Sequence, residues 1–142
     1  MNPLTLDQAE AIISGALSKA ADAGMNPLCV VVLDEGGHVR ASARQDKVPF
    51  GRVDVAFSKA YGAISVGMNS RGLEAAALDR PHFMAGVIGA IGGSVVPVAG
   101  GLIVLDGEGN RIGAVGVSGD TSDNDETAAL AGIAAAGLSP LG

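Results

Sequence analysis

The chain has 142 residues, a net charge of −6, 48% hydrophobic and 3% aromatic residues, and a single cysteine, a size expected of one domain over residues 1–142. The acidic balance, without a run of lysine or arginine, argues against a nucleic-acid partner, and the scarcity of aromatics removes base-stacking platforms. Cys29 sits in an apolar run and reads as a buried small hydrophobe. With no secretory signal evident, a reducing, cytoplasmic setting is expected.

Taken in order, the chain opens with a helix over residues 5–23. Thr5 and Gln8 form a capping box, Leu6, Ala9, Ile13, Ala16, Leu17 and Ala20 recur at helical spacing, and Gly24 with Pro27 ends it. Leu28 to Leu33 is an unbroken apolar run, expected as a strand buried on both faces. Asp34-Glu35-Gly36-Gly37 reads as a hairpin turn, after which His38 to Gln45 alternates in the manner of a strand with one dry face. Asp46 to Gly51 is a loop. Val53 to Val66 predicts a second helix, Ser70 to Leu78 a short third, and Asp79-Arg80-Pro81 a turn.

Met84 to Leu105 carries no charge and is long enough to span a bilayer. Its paired glycines, Gly92-Gly93 and Gly100-Gly101, and Pro97 argue instead for two buried segments joined by turns, so no membrane partner is expected. Val95 to Val98 reads as an edge strand. Leu102 to Leu105 and Arg111 to Val117 read as strands joined by a turn at Asp106-Gly107, and 124–136 as a last helix, with a Ser122-x-x-Asp125 box at its start. Hairpins together with helices predict an α+β class with an antiparallel sheet.

The candidate chemistry is sparse. Gly113-x-x-Gly116-x-x-Gly119 lacks the spacing of a dinucleotide fingerprint, and there is no phosphate-binding Gly-Lys-Ser/Thr. Strand glycines that admit close packing are the simpler reading. Asp120, Asp123, Asp125 and Glu126 can hold a hard cation or compensate a helix dipole, and their spacing is not that of an EF-hand, so no metal is assigned. His38 and His82 form no ligand pair; each is a surface residue, an axial haem ligand or a general base. Lys59 holds a carboxylate or acts as a base beside Arg44 and Asp46, or it is a surface lysine paired to Asp46 or Asp54.

The run IGAVGVSGDTSDNDE resembles the signature of the GlcG/HbpS-like (haem-degrading domain) family. LTLDQAEAIISGALSKAADAG resembles its first helix, VVVLDEGGHVRASARQD its hairpin, AFSKAYGAI its following helix and VPVAGGLIV its strand entry. The resemblance implies a profilin-like fold, an antiparallel five-stranded sheet flanked by helices, and homo-oligomers from dimers to octamers. It carries the family's recurrent polar residues onto Asp34, Arg44, Asp46, Lys59, Ser118, Asp125 and Glu126. Two readings follow. One is a small-ligand-binding accessory protein with haem or a related tetrapyrrole as ligand, using Arg44, His38, His82, Gly100, Gly101, Ser118 and Glu126. The other is a catabolic isomerase, lyase or hydrolase with Lys59, Asp46 and Asp125 as its catalytic groups and a carboxylate pocket between subunits. The chain departs from the pattern where Leu102-Ile103 follows Gly100-Gly101 in place of proline, and where the turn DGEGNR is longer than usual.

Overall fold

A computed structural model describes residues 2–142. The elements run α1 (Leu6–Asp22), β1 (Cys29–Asp34), β2 (Val39–Arg44), α2 (Gly51–Val66), α3 (Ser70–Asp79), α4 (Pro81–Ile91), β3 (Gly101–Leu105), β4 (Arg111–Ser118), α5 (Ser122–Ala135) and β5 (Ser139–Pro140). The five strands form one sheet in the order β2-β1-β4-β3-β5, and every neighbouring pair is antiparallel. This is the α+β, profilin-like arrangement expected from the sequence.

The alternation of side chains along the central strands divides the core in two. Val30 and Val32 of β1 and Val115 and Val117 of β4 face α1 and α5, packing with Ile12, Ala16, Ala128 and Ile133. Cys29, Val31, Leu33 and Ala114 face the opposite side and meet Ala56 and Ala60 of α2. A third, smaller cluster of Leu73, Met84 and Val95 joins α3 and α4 beside the sheet. Such a sheet, covered on both faces, explains why β1 reads as continuous apolar sequence.

Glycines decide how closely α2 lies on the sheet. A Cβ at Gly116 of β4 would collide with the backbone oxygen of Ala56, and one at Gly101 of β3 with that of Lys59. The strand glycines are therefore there for backbone-to-backbone approach, as the sequence suggests. α1 and α5 cross in the same manner, where Gly132 faces the Ile12 carbonyl.

The structure corrects the reading of residues 79–98. Pro81 occupies the first position of α4, an 11-residue helix, where a turn was expected. Val95 to Val98 is not a strand. Its amides bond to Gly93, Ser58 and Val96 carbonyls in irregular turns, and Pro97 has no amide to give. No helix among the described residues is long and apolar enough to cross a membrane.

Candidate functional site

The polar residues buried deepest in the structure converge at one corner, where β4 ends, β3 begins and α5 starts. Lys59, Ser70, Ser118 and Asp125 are all 2% exposed or less. Lys59 leaves the middle of α2 and passes over Gly100. Its Nζ donates to the Val117 carbonyl at 3.0 Å and to Asp125 Oδ2 at 3.0 Å. Gly100 has φ +123°, and a Cβ there would stand 2.8 Å from Lys59 Nζ. Glycine is thus required at that position both by the backbone and by the ammonium's path.

Asp125 is held from both sides. Its Oδ1 accepts the Asp120 amide at 2.9 Å, while Oδ2 takes the lysine. Burial pushes its carboxyl above the ordinary range, and the Asp120 amide and the Lys59 charge pull back only part of that shift. Ser70, at the first position of α3, closes the corner: its Oγ accepts the Gly101 amide at 2.7 Å and donates to the Gly101 carbonyl at 3.2 Å.

The start of α5 differs from the box read in the sequence. The N-cap is Thr121, whose side chain accepts the Asn124 amide; Ser122 is already helical, and Asp125 is turned inward to Lys59. The other carboxylates of this stretch are each engaged. Asp120 accepts the amides of Asn26 and Thr121 and the Asn124 side chain. Asp123 and Glu126 share Arg71, at 2.6 Å and 3.0 Å. Among the described residues no three His, Cys, Asp or Glu gather as a metal site.

Lys59 is not beside Arg44 and Asp46, nor is it a surface lysine. Arg44 lies at the same end of the sheet but two strands away. Cys29 is paired with both Arg44 and Ser118, so the three stand side by side on the face under α2. Two strand spacings put the Cα atoms of Arg44 and Ser118 roughly 10 Å apart. Arg44 Nη1 donates to the Val48 carbonyl at 2.7 Å, and Arg52, in the first turn of α2, donates to Ser118 Oγ at 3.3 Å. Arg52 was not singled out in the sequence; its place seven residues before Lys59, two turns along one helix stripe, was the available signal. Arg44 and Asp46 border an open cleft of about 450 Å³ with Leu17, Pro27, Ala43 and Gln45.

The remaining candidates lie elsewhere. Glu126 borders a second cleft of about 480 Å³ with Arg71, Met68, Leu102 and Leu130. His38 is on the β1–β2 hairpin, six residues of extended chain from Arg44 and so roughly 20 Å away. Its Nδ1 is 3.4 Å from Asp34 and its side chain is 82% exposed. His82 is exposed in the first turn of α4.

Residues 4–134 match the family described as haem degrading protein HbpS-like. The solved structure of Klebsiella pneumoniae protein ORFY is 25% identical, with a TM-score of 0.86 over 96% of this chain and 92% of that one. HbpS is 25% identical, with a TM-score of 0.80 over 94% and 90%. A PduOC:heme complex shares the fold at 23% identity, with a TM-score of 0.83 over 94% and 95%. No curated protein sequence matches.

Proposed function

We propose, for a chain that belongs to the HbpS-like haem-degrading family, that it binds a small molecule of the tetrapyrrole class and acts as an accessory or handling protein. What supports this is the likeness, over nine-tenths or more of both chains, to HbpS and to a PduOC chain seen in complex with heme. The observation that carries a ligand role is the open cleft of about 450 Å³ bordered by Arg44 and Asp46 at the same end of the sheet. The buried lysine, aspartate and serines, each bonded to one another, to backbone or to Arg52, hold the strand ends beside it.

Lys59 is assigned a positioning role. Its ammonium is committed to a carboxylate and a carbonyl, so it fixes the start of α5 and the end of β4 rather than presenting a free amine. This favours binding over the alternative of a lysine-based enzyme.

A haem brings a broad apolar ring, two carboxylates and an iron that takes an axial donor. The histidines of this chain do not fit as that donor. His38 borders a cleft of about 280 Å³ that it shares with Asp34 and Glu35, where carboxylates repel an anionic ring. His82 stands open on α4. The ring and its carboxylates are therefore what this chain is read as recognising. Self-assembly belongs to the same reading: Leu78, Phe83 and Leu130 are large apolar side chains left at least 40% exposed.

Titration with haemin, followed through the Soret band, tests the proposal. A saturable shift that survives His38→Ala and His82→Ala is expected. No shift with haemin, and no quenching or enhancement with metal-free protoporphyrin IX, would overturn it.

A further inference from the structure

We infer that the loop between β2 and α2 is a carboxylate-anchoring site, with Arg44 and Arg52 as its paired donors and Lys47 as a third cation. The inference rests on the tetrapyrrole reading for the class of ligand and on the loop's own charge and geometry for the place.

The chain is acidic overall, yet Arg40, Arg44, Lys47 and Arg52 fall within one stretch that holds only Asp46 and Asp54 as carboxylates. Their spacing hides the cluster in the sequence, because no two are adjacent; the end of β2 and the start of α2 bring Arg44, Lys47 and Arg52 to one corner, while Arg40 stays toward the hairpin end of β2. The ion pairs among the described residues join Lys59 to Asp125, Arg71 to Asp123 and Glu126, and His38 to Asp34. None uses these four cations. The hydrogen bonds of Arg44 and Arg52 go to neutral oxygens, the Val48 carbonyl and Ser118 Oγ. Each guanidinium therefore keeps its full charge and most of its five N–H donors for an anion, in the fork geometry that carboxylates accept.

Three further features point the same way. α2 begins without a side-chain cap, at Phe50, so the dipole of a 16-residue helix adds positive potential at the loop. Phe50 is 83% exposed beside these cations and offers an apolar face to a ring. Lys47 is the one non-glycine residue with positive φ among the described residues, at 71°. Strain of that kind persists where surrounding structure holds it, and it gathers at ligand clamps. The opposing groups of this stretch are Asp46 in the loop and Asp54 in the first turn of α2, with Asp120 beyond Ser118. Asp120 is tied to the Asn26 and Thr121 amides, and Asp125 behind it is neutralised by Lys59.

The test compares protoporphyrin IX with its dimethyl ester, in which both carboxylates are capped, on the wild-type protein and on R44Q/R52Q. We expect the free acid to bind the wild type at least about tenfold more tightly than the double variant, the scale of losing charge-assisted hydrogen bonds. The ester is expected to bind both proteins alike, and weakly. R44K/R52K, which keeps the charge and loses the fork, is expected to recover part of the affinity. Circular dichroism and the unfolding midpoint report whether each variant is folded; should the glutamine variant unfold, the wild-type contrast between acid and ester decides. Equal binding of acid and ester by the wild type, or full affinity in R44Q/R52Q, overturns the anchoring site and leaves tetrapyrrole binding standing. No porphyrin binding by the wild type overturns both.

Discussion

Lys59 Nζ and Asp125 Oδ2 lie 3.0 Å apart, in side chains only 3% and 2% exposed, and join two helices that cover opposite faces of the sheet. Removing one partner strands a buried charge. K59M and D125L are each expected to cost about 3–5 kcal/mol, whereas a K59M/D125L double variant regains most of it. Urea unfolding of the three variants gives the coupling directly. Single substitutions costing under about 1 kcal/mol would show that water reaches the pair.

The glycines of this fold separate into two kinds, and alanine distinguishes them. Gly116→Ala drives a methyl into the Ala56 carbonyl and is expected to destabilise by about 2 kcal/mol or more. Gly86→Ala, in the exposed middle of α4 with open space around it, is expected to stabilise by about 0.5–1 kcal/mol. A thermal midpoint unchanged or raised in Gly116→Ala would contradict the close seating of α2.

The cap of α5 offers a smaller test. Thr121→Ala removes the acceptor for the Asn124 amide and is expected to cost about 1 kcal/mol. Ser122→Ala, one position along and already in the helix, is expected to change stability by less than about 0.5 kcal/mol.

Acid stability follows from four carboxyls. Asp34 is held below the usual range first by the His38 amide, Asp106 by the Asn110 side chain and Asp120 by the Asn26 amide. A depressed carboxyl contributes stability above its unfolded value, about 3.9, and loses it as pH falls through the folded value. Asp125, pushed up by burial, has the opposite sign: its contribution is full at low pH and declines as pH rises through its folded value. The protein is therefore expected to lose stability below about pH 4, with a shallower acid limb in D120N, read by urea unfolding across that range.

Much of this was legible because local chemistry set it. The Thr5–Gln8 box starts α1, and the apolar run before Asp34-Glu35-Gly36-Gly37 is β1 entering its hairpin. α4 was hidden because Gly86 and Gly89 disfavour a helix that packing on Leu73 and Val95 nonetheless holds. Val95 to Val98 has the composition of a strand and no neighbour to pair with. The expectation that α2 packs on the β1–β2 hairpin placed Lys59 beside Arg44 and Asp46. Its true partner comes from 66 residues away, through the crossing of the chain at the end of β4, which periodicity does not encode.

The bare contact of α2 with Gly101 and Gly116 has a mechanical result. At those two points the helix backbone rests directly on the strands, and its further contact with the sheet includes Ala56 and Ala60 on Cys29, Val31, Leu33 and Ala114. That seating sets Arg52, in the first turn of α2, against Ser118 at the end of β4, with the span from Gln45 to Phe50 as the largely exposed edge beside them. A guest at that corner would therefore meet a strand end and a helix start whose spacing is set by two missing side chains.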